Sequence, residues 1–222
     1  MTSTGSSSFI NATRNSMANP MTKPNEIYFG NCIKTLSQMP DESVDLVITD
    51  PPYPNRMNFF SKSILDGYAA LYLCCKKAKN YVVFFWNPFS IPRPPEGWHE
   101  VARHIWHKPD CTSSTEYEPI TVWAKNPKRL ESKVWSIPIL DYRSRNEWQP
   151  LPTQKPLLLI QKLIELYSKP GDTILDPFLG TGTTAIACQK TRRNYIGIEI
   201  NPKNYQIAGK RLARWRASEK YK

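Results

Sequence analysis

The chain has 222 residues, 40% apolar and 12% aromatic, which is enough for one well-filled core and excludes a wholly disordered protein. Thirty Lys and Arg against nineteen Asp and Glu leave a formal charge of +11, so a polyanion is the expected partner, with nucleic acid ahead of an anionic membrane surface. No run of eighteen apolar residues occurs, residues 1–22 hold no apolar stretch of signal-peptide length, and the five cysteines (Cys32, Cys74, Cys75, Cys111, Cys188) lack CxxC spacing. A soluble, cytoplasmic protein with reduced thiols, no metal site and no membrane partner is expected.

Residues 1–22 are Ser-, Thr- and Asn-rich without apolar periodicity and are read as a flexible tail; a mitochondrial transit peptide would need more arginine than Arg14. One domain is expected over 23–222. A short apolar piece from Ile27 leads to a helical turn, Cys32 to Gln38, which Pro40-Asp41-Glu42-Ser43 breaks. Val44 to Thr49, β-branched and almost continuously apolar, predicts a strand in the middle of a parallel sheet covered on both faces. Lys62 to Lys79 reads as a helix, Tyr81 to Trp86 as a strand stopped by Asn87-Pro88, and Val101 to His107 and Pro119 to Ala124 as two more strands. Between Lys125 and Pro150 periodicity vanishes while basic and aromatic residues interleave (Lys128, Arg129, Lys133, Trp135, Tyr142, Arg143, Arg145, Trp148), which predicts a surface loop region.

Pro156 suits a first helical position, and Leu159, Ile160, Leu163, Ile164 and Tyr167 follow at helical spacing until Lys169-Pro170-Gly171. Then come a strand (Thr173 to Asp176), a Gly-containing turn (Phe178 to Thr183), a helix (Thr184 to Lys190) and a strand (Tyr195 to Glu199). Asn201-Pro202 starts a last helix, with Tyr205, Ala208, Leu212 and Trp215 on one face and Lys203, Lys210, Arg211 and Arg214 on the other. This order predicts an α/β fold with a doubly wound, mostly parallel sheet.

Leu179-Gly180-Thr181-Gly182-Thr183-Thr184-Ala185 fits G-x-G-x-x-A between a strand and a helix, with Glu199 ending the next strand. Glycines let backbone N–H groups approach a ligand, and a carboxylate there can accept from both hydroxyls of a ribose. No Lys follows the second glycine, so a P-loop is excluded; NAD and S-adenosylmethionine remain. Asp176 sits badly beside a pyrophosphate and well beside a cationic sulfonium and its amino group, which favours the methyl donor. Asp50-Pro51-Pro52-Tyr53 follows a core strand, at the sheet edge where open α/β folds bind ligands. Prolines have no N–H, so the turn offers only acceptors, which is what an exocyclic amine needs. Asp50 and the Pro51 carbonyl would hold its two hydrogens, draw the nitrogen toward tetrahedral geometry and aim its lone pair at a methyl group, while Tyr53 stacks on a base swung out of its helix.

The two segments together, with Pro152-Thr153-Gln154-Lys155-Pro156 before the second, resemble the amino-group DNA methyltransferases that make N6-methyladenine or N4-methylcytosine. The order of tetrad first and Asp-Pro-Phe-Leu-Gly-Thr-Gly-Thr-Thr later is similar to the permuted beta group, with a catalytic half (23–125), a short target-recognition segment (126–150) and a cofactor half (151–222). The likeness spans roughly residues 27 to 213 and includes His104-Ile105-Trp106-His107-Lys108-Pro109-Asp110 with Glu118 downstream. It implies the S-adenosylmethionine-dependent methyltransferase fold, base flipping, and methylation of DNA, with adenine N6 favoured by Asp at the tetrad's first position. It implies catalytic roles for Asp50, Pro51, Pro52 and Tyr53, and a cofactor pocket of Asn31, Asp176, Phe178, Gly180, Gly182, Thr183 and Glu199, with Gln154 and Lys155 near the methionine end.

Arg143, Arg145, Lys128 and Arg129 are the expected DNA contacts, with Trp135, Tyr142 and Trp148 as stacking or wedging rings; a solvated basic face is the alternative for the last helix. His104 and His107 are read as structural, and Glu118 as either a pocket residue or a structural hydrogen-bonder. Asn31 stands where the family often has Asp, Leu151 where it often has His, and only about 25 residues serve base readout, so specificity is expected to be short, relaxed or completed by another subunit. A homodimer is the expected assembly, in a bacterial or phage-infected cell, with restriction-modification one compatible purpose. Methylation of RNA or of a protein amide, a non-catalytic DNA-binding subunit, and an NAD enzyme are the other readings.

Overall fold

Alternation along the central strands decides the layers. In the strand β2 (Val44–Thr49), Leu46 and Ile48 enter one core while Val44 and Val47 enter the other. β3 (Ala78–Phe85) repeats the pattern, with Val83 and Phe85 on the first side and Val82 and Phe84 on the second. Strands buried on both faces read as continuous apolar runs, which is why both segments were legible. These assignments come from a computed structural model that describes residues 23–53, 62–88, 90–111, 116–138 and 154–219.

The remaining elements are β1 (Glu26–Phe29), α1 (Cys32–Gln38), α2 (Lys62–Lys77), β4 (His99–His107), β5 (Tyr117–Ala124), β6 (Val134–Ser136), α3 (Leu157–Tyr167), β7 (Thr173–Asp176), α4 (Thr183–Lys190), β8 (Asn194–Glu199) and α5 (Pro202–Glu219). The strands form one sheet in the order β1-β8-β7-β2-β3-β5-β4-β6, with β5 antiparallel to both neighbours and the other pairings parallel. Helices α1 and α2 cover one face and α3, α4 and α5 the other. This is the expected doubly wound α/β architecture, and the tetrad-bearing and glycine-bearing halves share it. Among the described residues no helix is long and apolar enough to cross a membrane.

The differences from expectation lie at boundaries and in the region read as loop. Strands β3, β4 and β5 begin two or three residues earlier than their apolar runs: ladder pairing extends into polar residues such as His99 and Glu100, and in β3 it reaches Ala78 across a bulge at Lys79 and Asn80. Pro156 is the residue before α3 rather than its first, with extended backbone and its carbonyl accepting from Ile160 N at 3.2 Å. The supposed loop after Lys125 contains β6, three residues pairing in parallel with Ile105, Trp106 and His107 of β4. Trp135 therefore lies half-buried against the core, tilted over the His104 ring at 4.9 Å, rather than free to stack on a base. Residues 1–22, with the expected tail, and Tyr142 and Trp148 lie outside the described residues.

Candidate active site

Strands β2 and β7 are parallel neighbours, and the chain leaves them in opposite directions: from β2 toward β3, from β7 toward β8. Such a reversal opens a crevice at the carboxyl ends of the two strands. A cleft of about 210 Å³ opens here, and its lining includes Asp50, Gln154, Lys155, Asp176, Phe178 and Gly180. Asp50 of the tetrad and the glycine turn, more than 120 residues apart in sequence, thus line one cavity; Pro51, Pro52, Tyr53, Gly182 and Glu199 are not among its lining residues.

On the β7 side, Asp176 is buried and its oxygens accept from Thr49 Oγ1 (2.9 Å), Phe178 N (3.1 Å) and Thr184 Oγ1 (2.6 Å). Burial pushes its carboxyl up to about 6 despite these donors. Gly180 and Gly182 both hold positive φ, at 57° and 89°. Gly180 N donates to Glu199 Oε2 at 2.8 Å while Asn201 N donates to Oε1 at 2.7 Å, so β8 presents a carboxylate fixed by two amides with a lone pair left on each oxygen. Burial raises the Glu199 carboxyl above its ordinary range. Gly182 does a different job: a Cβ there would stand 3.1 Å from Ala208 Cβ and 3.2 Å from its Cα, so the glycine lets α4 start against α5.

Sequence reasoning missed the brace behind this turn. Arg211, expected on the solvent face of α5, is buried, and its Nη1 donates to Thr181 O at 2.7 Å and Thr181 Oγ1 at 3.0 Å. Thr181 Oγ1 in turn donates to Gln154 Oε1 at 2.6 Å, tying the segment before α3 to the glycine turn.

On the β2 side, Asp50 Oδ2 lies 2.7 Å from Lys155 Nζ. The same ammonium lies 2.9 Å from Glu118 Oε1, and Lys108 Nζ lies 3.1 Å from Glu118 Oε2. Four alternating charges therefore run from the turn after β2 through the segment before α3 and the start of β5 to the end of β4. Three of the side chains are about nine-tenths buried: Lys155 and Lys108 keep 11% exposure and Glu118 keeps 10%. Asp50 Oδ1 is buried and accepts no hydrogen bond from the described residues. Burial raises the Asp50 carboxyl against the pull of Lys155; burial also opposes the charge on Lys155 and Glu118, yet their mutual attraction, with Lys108, moves Lys155 up and Glu118 down.

Tyr53 is half-buried with its ring 5.9 Å from that of Trp86, and burial, then the facing Glu118, raises its phenol. Gly67 of α2 is a further residue missed from sequence: a Cβ there would stand 2.3 Å from the Pro52 carbonyl oxygen, so only glycine lets α2 pass over the tetrad.

The other expected site residues are distributed differently. Asn31 caps α1, its Oδ1 accepting from Lys34 N at 3.2 Å, and is absent from the cleft lining. Lys155, placed with the methionine end from sequence, spends its ammonium on Asp50 and Glu118. Lys128 and Arg129 are exposed but follow the far end of β5, which runs antiparallel to β3, so they sit at the sheet edge opposite the tetrad. Arg143 and Arg145 lie outside the described residues. His104 is buried and structural: Nδ1 accepts from Lys133 N at 2.9 Å, Nε2 meets Tyr167 Oη at 2.5 Å, and burial lowers the imidazole to about 4.

Known proteins match this arrangement. The type II methyltransferase M.HpaI of Haemophilus parainfluenzae is 27% identical over 230 residues, covering 82% of this chain and 72% of the relative. The DNA adenine methyltransferase YhdJ of Escherichia coli K12 is 25% identical over 241 residues, covering 84% of this chain and 82% of the relative. The solved structure of an M1.HpyAVI–SAM complex superposes with a TM-score of 0.62 at 25% identity, covering 84% of this chain and 98% of that one. Residues 54–210, well over half the chain, match the DNA methylase family of N6 and N4 methyltransferases, and with one cleft joining the Asp50 carboxylate to a glycine turn, the chain belongs to that family.

Proposed function

We propose that the protein transfers a methyl group from S-adenosylmethionine to the exocyclic amine of a base in DNA, and that the base is adenine, methylated at N6. The observation that carries the reading is the shared cleft, which is lined both by Asp50, whose buried Oδ1 accepts no hydrogen bond from the described residues, and by the glycine turn. S-adenosylmethionine, present in the M1.HpyAVI complex, fits the residues here. Glu199, behind Gly180, keeps acceptor capacity for ribose hydroxyls, Asp176 supplies negative charge toward a sulfonium, and Phe178 and Gln154 are among the residues lining the cleft. When bound, the cofactor supplies an electrophilic methyl group.

The chain's part is to activate the amine. Its lone pair is delocalised into the base, and Asp50 Oδ1 with the Pro51 carbonyl draws its two hydrogens out of the ring plane, so the lone pair can point at the methyl carbon. The nitrogen–carbon bond would form as the carbon–sulfur bond breaks, its electron pair staying on sulfur as a neutral thioether, and the cationic nitrogen would then pass one proton to the Asp50 carboxylate and on to water. Tyr53, backed by Trp86, offers a ring face to a base swung out of the helix. Arg143 and Arg145 are the proposed phosphate contacts. Their segment starts after Pro138 and rejoins at Gln154, and both ends stand at the tetrad's edge, since Ile137 N donates to His107 O at 3.0 Å and Gln154 lines the cleft. A homodimer acting in the cytoplasm completes the proposal, and light scattering checks the assembly.

Nucleoside mass spectrometry of unmethylated bacterial DNA after incubation with protein and S-adenosylmethionine tests the reading. N6-methyladenine is expected with the wild type and none with Asp50→Ala, while calorimetry shows cofactor binding by both. Undiminished transfer by Asp50→Ala would sink the mechanism; N4-methylcytosine instead would keep the reaction and change the base.

A further inference from the structure

We infer that Lys155 is a positioning residue for methyl transfer: its ammonium, steered by Glu118, holds Asp50 as a carboxylate turned so that Oδ1 meets the acceptor amine. The inference rests on the reading of Asp50 as that amine's partner. An N–H needs an acceptor, and a protonated carboxyl would offer a hydroxyl donor in its place. Burial by itself favours the protonated form. Lys155 opposes this at 2.7 Å, and by engaging Oδ2 it leaves Oδ1 as the carboxylate oxygen of Asp50 that accepts no hydrogen bond from the described residues.

The ammonium is itself immobilised. It donates to Asp50 Oδ2, lies at ion-pair distance, 2.9 Å, from Glu118 Oε1 and stands 4.8 Å from the centre of the Phe85 ring, so two carboxylates and an aromatic face surround it. That leaves it poorly placed to serve the cofactor, whose reacting end is also cationic. Glu118 is held in turn by Lys108 at 3.1 Å. The charged and titratable groups facing Asp50 are thus Lys155, Glu118 of β5, Lys108 after β4, Tyr53 of its own turn and Asp176 of β7. Two of them act on Asp50 with opposite sign: the Lys155 charge favours the carboxylate, and the Glu118 charge disfavours it.

That opposition distinguishes an electrostatic device from a structural brace. The test measures methyl transfer to saturating unmethylated bacterial DNA over a range of S-adenosylmethionine concentrations at each pH, for wild type, Lys155→Met, Lys155→Arg and Glu118→Gln, with circular dichroism melts as the folding control. In Lys155→Met the acidic limb of kcat is expected to move to higher pH by about one to three units, about tenfold in rate per unit on the limb, with little change in KM for the cofactor. Lys155→Arg keeps the charge and is expected to keep the limb near its wild-type position. Glu118→Gln is expected to move the limb to lower pH.

A Lys155→Met limb at the wild-type position, or a raised cofactor KM with unchanged kcat, overturns the inference. So does movement of the limb in one direction by both neutralising variants, which is the mark of general damage. Should Lys155→Met fail to fold, Glu118→Gln decides alone, and an unmoved or upward limb overturns the inference. Failure of the wild type to methylate DNA overturns the reading underneath, and is told apart because no pH limb is then recorded for any variant.

Discussion

Gly180 and Gly182 sit two residues apart in one turn and carry different loads. Both are left-handed, which costs a non-glycine residue about 1–2 kcal/mol. Around Gly180 a Cβ would meet only the Phe178 carbonyl oxygen, at 4.0 Å, whereas at Gly182 it would press on Ala208 within 3.2 Å. Gly180→Ala is therefore expected to lose about 1–2 kcal/mol in urea unfolding, and Gly182→Ala about 2–4 kcal/mol because overpacking of α4 on α5 adds to the strain. Cofactor affinity should follow the other order relative to stability, since Gly180 lines the cleft and Gly182 does not. Equal losses of stability would show that the α4–α5 contact yields without cost. The pattern G-x-G pointed to both glycines, but it could not tell that Gly180 lines the cleft while Gly182 makes room for helix packing.

At the scale of elements, His104 joins three of them: it stands on β4, accepts from Lys133 just before β6, and meets Tyr167 at the end of α3. An imidazole held near 4 when folded and near 6.5 when unfolded stays neutral in the native state while the unfolded chain takes up a proton. Its contribution is whole above about pH 6.5 and is lost as pH falls toward 4, by up to about 3 kcal/mol. Asp176 slopes the other way: its carboxyl, raised to about 6, favours the native state at lower pH and loses that advantage as pH rises from about 4 to 6. The wild-type curve therefore partly conceals both. The difference in unfolding free energy between wild type and His104→Gln should shrink as pH falls from 6.5 to 4, and a constant difference across that window would refute the assignment. Periodicity found β4 and α3, whereas β6 escaped it. Three residues of an edge strand show no alternation, and what holds them is pairing with β4.

For the whole molecule, the charge of +11 is a statement about partners, and the direction of β5 says where a partner can be met. Its antiparallel course carries Lys128 and Arg129 to the edge away from Asp50, a strand length of about 25 Å. Replacing Arg143 and Arg145 together with Ala is expected to flatten the dependence of log affinity for DNA on log salt concentration by about 1.8, the release of two phosphate contacts. The same double change at Lys128 and Arg129 should leave the slope near its wild-type value. An equal flattening from both pairs would mean that DNA wraps past both edges of the sheet.

Contiguous features were readable from the amino-acid order: the tetrad after β2, the turn between β7 and α4, the capped start of α5 at Asn201, and the apolar runs that make the central sheet. Each depends on neighbours within a few residues, where backbone chemistry and side-chain period act directly. Asp50, Lys108, Glu118 and Lys155 belong to four separate segments, and no local rule in the sequence links them into a chain of ion pairs 2.7 to 3.1 Å long. Arg211 reads as one more cation on a basic helix face until α5 packs against the glycine turn and buries it. Lys128 and Arg129 read as part of a recognition segment until strand direction puts them on the far edge. Charge pairing, burial and edge are properties of chain crossings, and these are set when the two halves close around β2 and β7.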